Sequence, residues 1–161
     1  RCNIWASMGA GKTGSVLWTL NRLFRNGQLT EEDRVLILAP LRVASGTWPA
    51  EQTKWNFPCL RVVDATGSEK RRIAALESDA NVVCTNYEVI EWLIDYYGKD
   101  DWPFTVIVAD ESTKLKSFRS RSGGSKRAKA LSRVAFGKVK RFINLTGTPA
   151  PNGLKDLLRQ N

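Results

Sequence analysis

The sequence predicts a three-layer α/β domain, with a mainly parallel β-sheet covered by helices on both faces. Three observations carry that prediction. Short apolar segments alternate with stretches of helical periodicity, the pattern produced when each crossover between parallel strands passes over a sheet face. The segments Arg34–Ala39 (RVLILA) and Phe104–Ala109 (FTVIVA) are near-continuously apolar, as strands buried on both faces require. A loop of small residues ending in Gly11-Lys12-Thr13 separates the first apolar segment from the first helix, where open parallel sheets bind phosphate groups.

Each element follows in chain order. Cys2–Trp5 reads as a strand end. A helix over residues 12–26 places Val16, Leu20, Leu23 and Phe24 on one face, with Gly27 as its stop. Arg34–Ala39 is a buried strand; a helix around 45–55 and a short strand at 60–63 come next. Glu69–Leu76 is predicted helical and 81–85 extended. Over 87–97, Val89, Ile90, Leu93, Ile94 and Tyr97 fall at helical spacing. Phe104–Ala109 and 141–145 complete the strands, and 117–125, rich in Ser, Gly and Arg, reads as a loop. Trp18, Trp48, Trp55 and Trp92 fall on the predicted helices and are expected to pack.

Composition bounds the function. A length of 161 residues suits a single domain spanning 1–161, and an apolar content of 42% supports a real core. No apolar run approaches the roughly 18 residues of a membrane span, so no membrane partner is expected. The three cysteines lack metal-ligand spacing and read as reduced core thiols, which points to a cytoplasmic setting. With no histidine, a His-based triad is excluded and a zinc site is not supported. The chain begins at Arg1 and its one Met is Met8, so it reads as a piece of a longer protein.

The net charge of +9 is local. Eleven Lys or Arg and no acid fall between Lys114 and Arg141, leaving 14 basic residues against 16 acidic ones elsewhere. Such a segment suits a nucleic-acid backbone, and the sparse aromatics (Phe118, Phe136) favour duplex over stacked single strands. If about six of these side chains engage phosphates, log K should fall with log salt at a slope of roughly −5.

Two sites carry chemistry. In Ala6-Ser7-Met8-Gly9-Ala10-Gly11-Lys12-Thr13-Gly14, small residues let backbone N–H groups approach phosphate oxygens, and the following helix offers its positive end. Lys12 is expected at the β- and γ-phosphates of ATP, with Gly9, Ala10, Gly11 and Gly14 around them and the Thr13 hydroxyl on Mg²⁺. In Val106-Ile107-Val108-Ala109-Asp110-Glu111, an apolar strand delivers two carboxylates to the sheet edge where the loop also lies. Asp110 is expected to hold Mg²⁺ through water, and Glu111 to orient and deprotonate the attacking water.

These residues resemble the motifs of superfamily 2 helicases. ASMGAGKT is similar to motif I, which favours Ala at its head, as at Ala6. VLILAPLRV, VVCTNYE, ADESTKLKS and INLTGTPAPN resemble motifs Ia, Ib, II and III, in the family's order from Ala6 to Asn152. The last three look most like the Swi/Snf branch, of phage or bacterial type given the compact spacing. The resemblance implies a RecA-like P-loop NTPase lobe that hydrolyses ATP to move on double-stranded DNA. It places Pro40, Leu41, Arg42 and Thr85, and by position Lys114 and Lys116, against DNA. It assigns nucleotide–DNA coupling to Thr113, Thr146, Gly147 and Thr148.

The alternatives stay open residue by residue. Pro40 also suits a plain strand end, Thr85 a helix cap and Thr146-Gly147-Thr148-Pro149 a plain turn. Thr113 stands where many relatives carry His or Asp. The resemblance also implies a second RecA-like lobe in the parent chain, with arginine fingers worth roughly 10³–10⁵ in rate. The isolated lobe is therefore expected to hydrolyse ATP very slowly, in the cytoplasm of a bacterial or phage-infected cell. Two rival functions remain, a P-loop kinase and a non-catalytic nucleotide- or DNA-binding module.

Overall fold

In the computed structural model, residues 2–7, 9–98, 100–111 and 137–147 are described. Six strands form one sheet in the order β1-β6-β5-β2-β4-β3. They are β1 Cys2–Trp5, β2 Arg34–Ala39, β3 Val62–Asp64, β4 Val82–Asn86, β5 Phe104–Ala109 and β6 Arg141–Thr146. Every pairing is parallel. All carboxyl ends therefore reach one edge of the sheet and all amino ends the other.

Helices cover both faces. Alternate side chains of β2 and β5 split between two cores, because successive Cβ atoms point to opposite faces. Val35, Ile37, Val106 and Val108 pack with Val16, Leu17 and Leu20 of α1 (Lys12–Arg25) and Trp48 of α2 (Trp48–Trp55). Leu36, Leu38 and Ile107 pack with Ala75 and Leu76 of α3 (Glu69–Leu76) and Ile90, Leu93 and Ile94 of α4 (Ile90–Tyr97). This is the mainly parallel three-layer fold the sequence predicts.

The sequence readings differ from the structure at instructive places. The expected helix over 45–55 begins as a wide π-turn, Val43–Thr47, before α2 takes over. The expected strand at 60–63 starts later, at Val62, because Gln52 captures the carbonyls of Phe57 and Leu60 at 3.0 Å each. Trp48 is wholly buried, but Trp18 and Trp55 are 53% and 56% exposed. They lie outside the buried stripe, under cations instead: Arg22 sits 5.4 Å above Trp18 and Lys54 5.0 Å above Trp55. Of the cysteines, only Cys84 is a core thiol; Cys59 is half-buried and Cys2 exposed.

Candidate nucleotide-binding site

The site grows from the carboxyl edge of the sheet. β1 ends into the loop leading to α1, and Ala6 N–H donates to Thr146 O at 3.3 Å, tying that loop to the end of β6. Gly9 and Gly11 take φ of +78° and +73°, a left-handed backbone that costs a side chain about 1–2 kcal/mol. A Cβ at either would meet nothing within 4 Å, so the loop is open at these positions. Gly11 caps α1 without a side-chain acceptor, and the first turn carries no acid. Its N–H groups and the positive end of the helix dipole therefore suit an anion.

Lys12 Nζ donates to the carbonyls of Ala6 and Ser7 at 2.8 Å each, which holds the ammonium within the loop. Thr13 and Gly14 follow in the first turn of α1. Gly14 has a further role: a Cβ there would lie 3.3 Å from Glu51 Oε2, so its missing side chain makes room for α2.

β5 delivers Asp110 and Glu111 to the same edge, with β6 between it and β1. Asp110 is buried at 7% exposure, and its N–H donates to Leu38 O at 2.7 Å. Trp48 Nε1–H donates to Oδ2 at 3.2 Å and Glu111 N–H to Oδ1 at 3.0 Å. Burial raises the Asp110 carboxyl above its ordinary range, against the bonds from Trp48 and Glu111 and the charge of Lys12. Glu111 is exposed and left-handed at φ 52°, uncommon for a residue with a Cβ.

An Mg²⁺ ion fits this donor set. Asp110 keeps a further lone pair on each oxygen, its buried charge gains from a cation, and the Thr13 hydroxyl adds a second hard oxygen. Among the described residues no group of three or more His, Cys, Asp or Glu could form an all-protein cage.

The other expected positions divide. Thr146 is buried and Gly147 half-buried at the end of β6. Pro40 leaves β2, and its carbonyl accepts from the N–H groups of Val43 and Ala44 at 2.8 and 2.9 Å. Leu41 and Arg42 are thereby held exposed on the same edge. Thr85 corrects the expectation of a DNA-contacting side chain: it is 1% exposed, and its hydroxyl donates to Ala65 O at 2.8 Å. Thr113, Lys114, Lys116 and Thr148, with most of the basic segment, lie outside the described residues. Of that segment, Lys140 and Arg141 stand at the opposite edge, bonded to Asp33 and to Gln28 O.

Sequence reasoning missed two residues at the site. Trp48 is expected only to pack, and Tyr87, whose buried hydroxyl donates to the Asp110 carbonyl, stands in VVCTNYE without an assigned role. The available signal was chemical, since a buried indole N–H or phenol O–H usually finds a partner.

Comparisons with known proteins agree with this geometry. A phage protein designated p41, from Acyrthosiphon pisum secondary endosymbiont phage 1, is 51% identical over 99% of this chain and 34% of its own length. The mouse DNA excision repair protein ERCC-6-like is 29% identical over 93% of this chain and 12% of its own length. The chain thus spans about a third of the phage relative and far less of the mouse one. The SWI2/SNF2 ATPase core of Sulfolobus solfataricus, solved in complex with dsDNA, superposes with a TM-score of 0.72 at 28% identity. That superposition covers 97% of this chain and 29% of the other. The sequence profile of the SNF2-related domain matches residues 4–159, and the chain belongs to that family.

Proposed function

We propose that this chain is the ATP-binding lobe of a DNA-dependent ATPase, which hydrolyses ATP to ADP and phosphate to drive movement on double-stranded DNA. The observation that carries the reading is the shared edge: the Lys12 loop, Asp110-Glu111 and the exposed turn at Leu41-Arg42 all stand at strand carboxyl ends. The family match and the dsDNA complex of the Sulfolobus core support the DNA partner.

In this reading the loop N–H groups and Lys12 bind the β- and γ-phosphates. Glu111 accepts a proton from the water that attacks the γ-phosphorus, while the bond to the β,γ-bridging oxygen breaks. Thr13 and Asp110 would hold Mg²⁺, which would supply charge stabilisation to the transferring phosphoryl group. A second lobe of the parent protein closes the site with arginine and completes the stabilisation. A P-loop kinase would share the loop and the carboxylates, but it gives no reason for the LTGTP segment at Leu145–Pro149.

The test is ATP hydrolysis by the intact protein that carries this chain, with and without duplex DNA. Stimulation by DNA, abolished by Glu111→Gln with ATP binding retained, is expected. Phosphorylation of a small molecule, or tight DNA binding without turnover, would overturn the reading.

A further inference from the structure

Asp110 is held from two directions by residues remote in sequence. Trp48, at the start of α2, reaches Oδ2 across a separation of 62 residues. Tyr87, immediately after β4, reaches the Asp110 carbonyl across 23. Together with Glu111 N–H on Oδ1, the indole places one donor on each carboxylate oxygen, which fixes the rotation of the carboxylate plane.

The route from Trp48 leads to the exposed turn. The Pro40 carbonyl accepts from Val43 and Ala44, the π-turn Val43–Thr47 follows, and α2 begins at Trp48 without an intervening loop. Ala44 and Trp48 are both wholly buried, so the segment is clamped into the core. Leu41 and Arg42 thus connect to Trp48 through one continuous helical turn. π-turns are rare and concentrate where function requires an altered helix register. On the other side of β2, Tyr87 is fixed by burial directly behind Asn86.

We propose that Trp48 and Tyr87 are positioning residues that tie the DNA-facing turn at residues 40–42 and the exit of β4 to the orientation of Asp110. The proposal rests on the DNA-dependent ATPase reading above. DNA engagement at Leu41-Arg42 reaches the metal-binding carboxylate along the π-turn and through the indole N–H. Tyr87 holds the adjoining backbone as the fixed reference.

The experiment uses the intact protein and Trp48→Phe, which keeps a ring in the core and removes the donor. Leu29→Ala, a buried change ahead of β2 at the opposite edge, controls for destabilisation alone. The first readout is the gain in affinity for a non-hydrolysable ATP analogue on adding Mg²⁺, by calorimetry. The second is the ratio of ATPase rates with and without duplex DNA. Trp48→Phe should reduce the Mg²⁺-dependent gain about tenfold, as expected for losing a bond to a charged group. It should lower the DNA ratio severalfold, while Leu29→Ala leaves both as in wild type. Retention of both by Trp48→Phe, or equal losses in Leu29→Ala, overturns the proposal. Should Trp48→Phe fail to fold, Tyr87→Phe removes one hydroxyl and little volume and is read by the same criteria. A wild-type ratio of one overturns the DNA-dependent reading itself, and the Mg²⁺ arm then decides the positioning of Asp110 alone.

Discussion

Lys140 Nζ lies 3.0 Å from Asp33 Oδ1 at the amino edge of the sheet, so the approaches to β6 and β2 are joined by one ion pair. The same oxygen accepts from the Thr105 hydroxyl at 2.7 Å, and Oδ2 accepts from Thr30 N–H at 2.9 Å. Three chain segments thus converge on one buried carboxylate.

That convergence predicts a pH dependence. Burial pushes the Asp33 carboxyl up, but the bonds from Thr105, Thr30 and Lys140 outweigh it and hold the value at about 2, against 3.8 ordinarily. A depressed carboxyl stabilises the fold above the ordinary value and loses that contribution as pH falls from about 4 to about 2. The contribution at neutral pH is about 2 kcal/mol. Urea denaturation of wild type and Asp33→Asn should show a gap of this size at pH 7 that closes by pH 2. A gap independent of pH would refute the assignment.

Lys12 makes a second prediction. Its ammonium donates to the carbonyls of Ala6 and Ser7 in the loop itself, so Lys12→Ala should change thermal stability little. Affinity for an ATP analogue should fall at least about tenfold, the scale of a lost charge-assisted contact. Titration calorimetry checks the pair of outcomes, and an unchanged affinity would remove Lys12 from the phosphate site.

Glu111 combines strain with chemistry. Because its φ is 52°, Glu111→Gly should be more stable than Glu111→Val by about 1–2 kcal/mol, while both lose turnover at least about 10²-fold. Denaturation curves read beside ATPase rates test this. Equal stability of the two variants would contradict the left-handed backbone.

The two edges of the sheet should respond differently to DNA. Arg42→Ala should reduce the slope of log K against log salt by about 0.9, one phosphate contact. Arg141→Ala should leave that slope unchanged, because Arg141 enters β6 at the amino edge and donates to Gln28 O. Filter binding or anisotropy across a salt series measures both. A smaller slope in Arg141→Ala would place DNA on the wrong edge.

The sheet was legible because strands buried on both faces leave continuous apolar runs such as RVLILA and FTVIVA. The loop and Asp110-Glu111 were legible because small residues and adjacent carboxylates at strand ends are local patterns. Long-range pairing was not. Nothing near Asp33 in the sequence announces Thr105 or Lys140, and nothing near Trp48 announces Asp110. Trp18 and Trp55 were misjudged by residue type: two places beyond Val16, Trp18 points away from the stripe formed by Val16 and Leu20. Thr85 was misjudged because its place beside the site does not reveal that its hydroxyl turns inward to Ala65.

The all-parallel sheet has a consequence for protein engineering. It sends every strand end that bears reactive groups to one rim and leaves the opposite rim to cohesion, through Asp33, Thr105 and Lys140. Work on thermal robustness and work on turnover can therefore proceed on separate sets of positions. A library at the exposed positions Glu31, Glu32 and Lys138, with Thr30, Asp33 and Lys140 kept, should alter stability while the catalytic rim stays untouched.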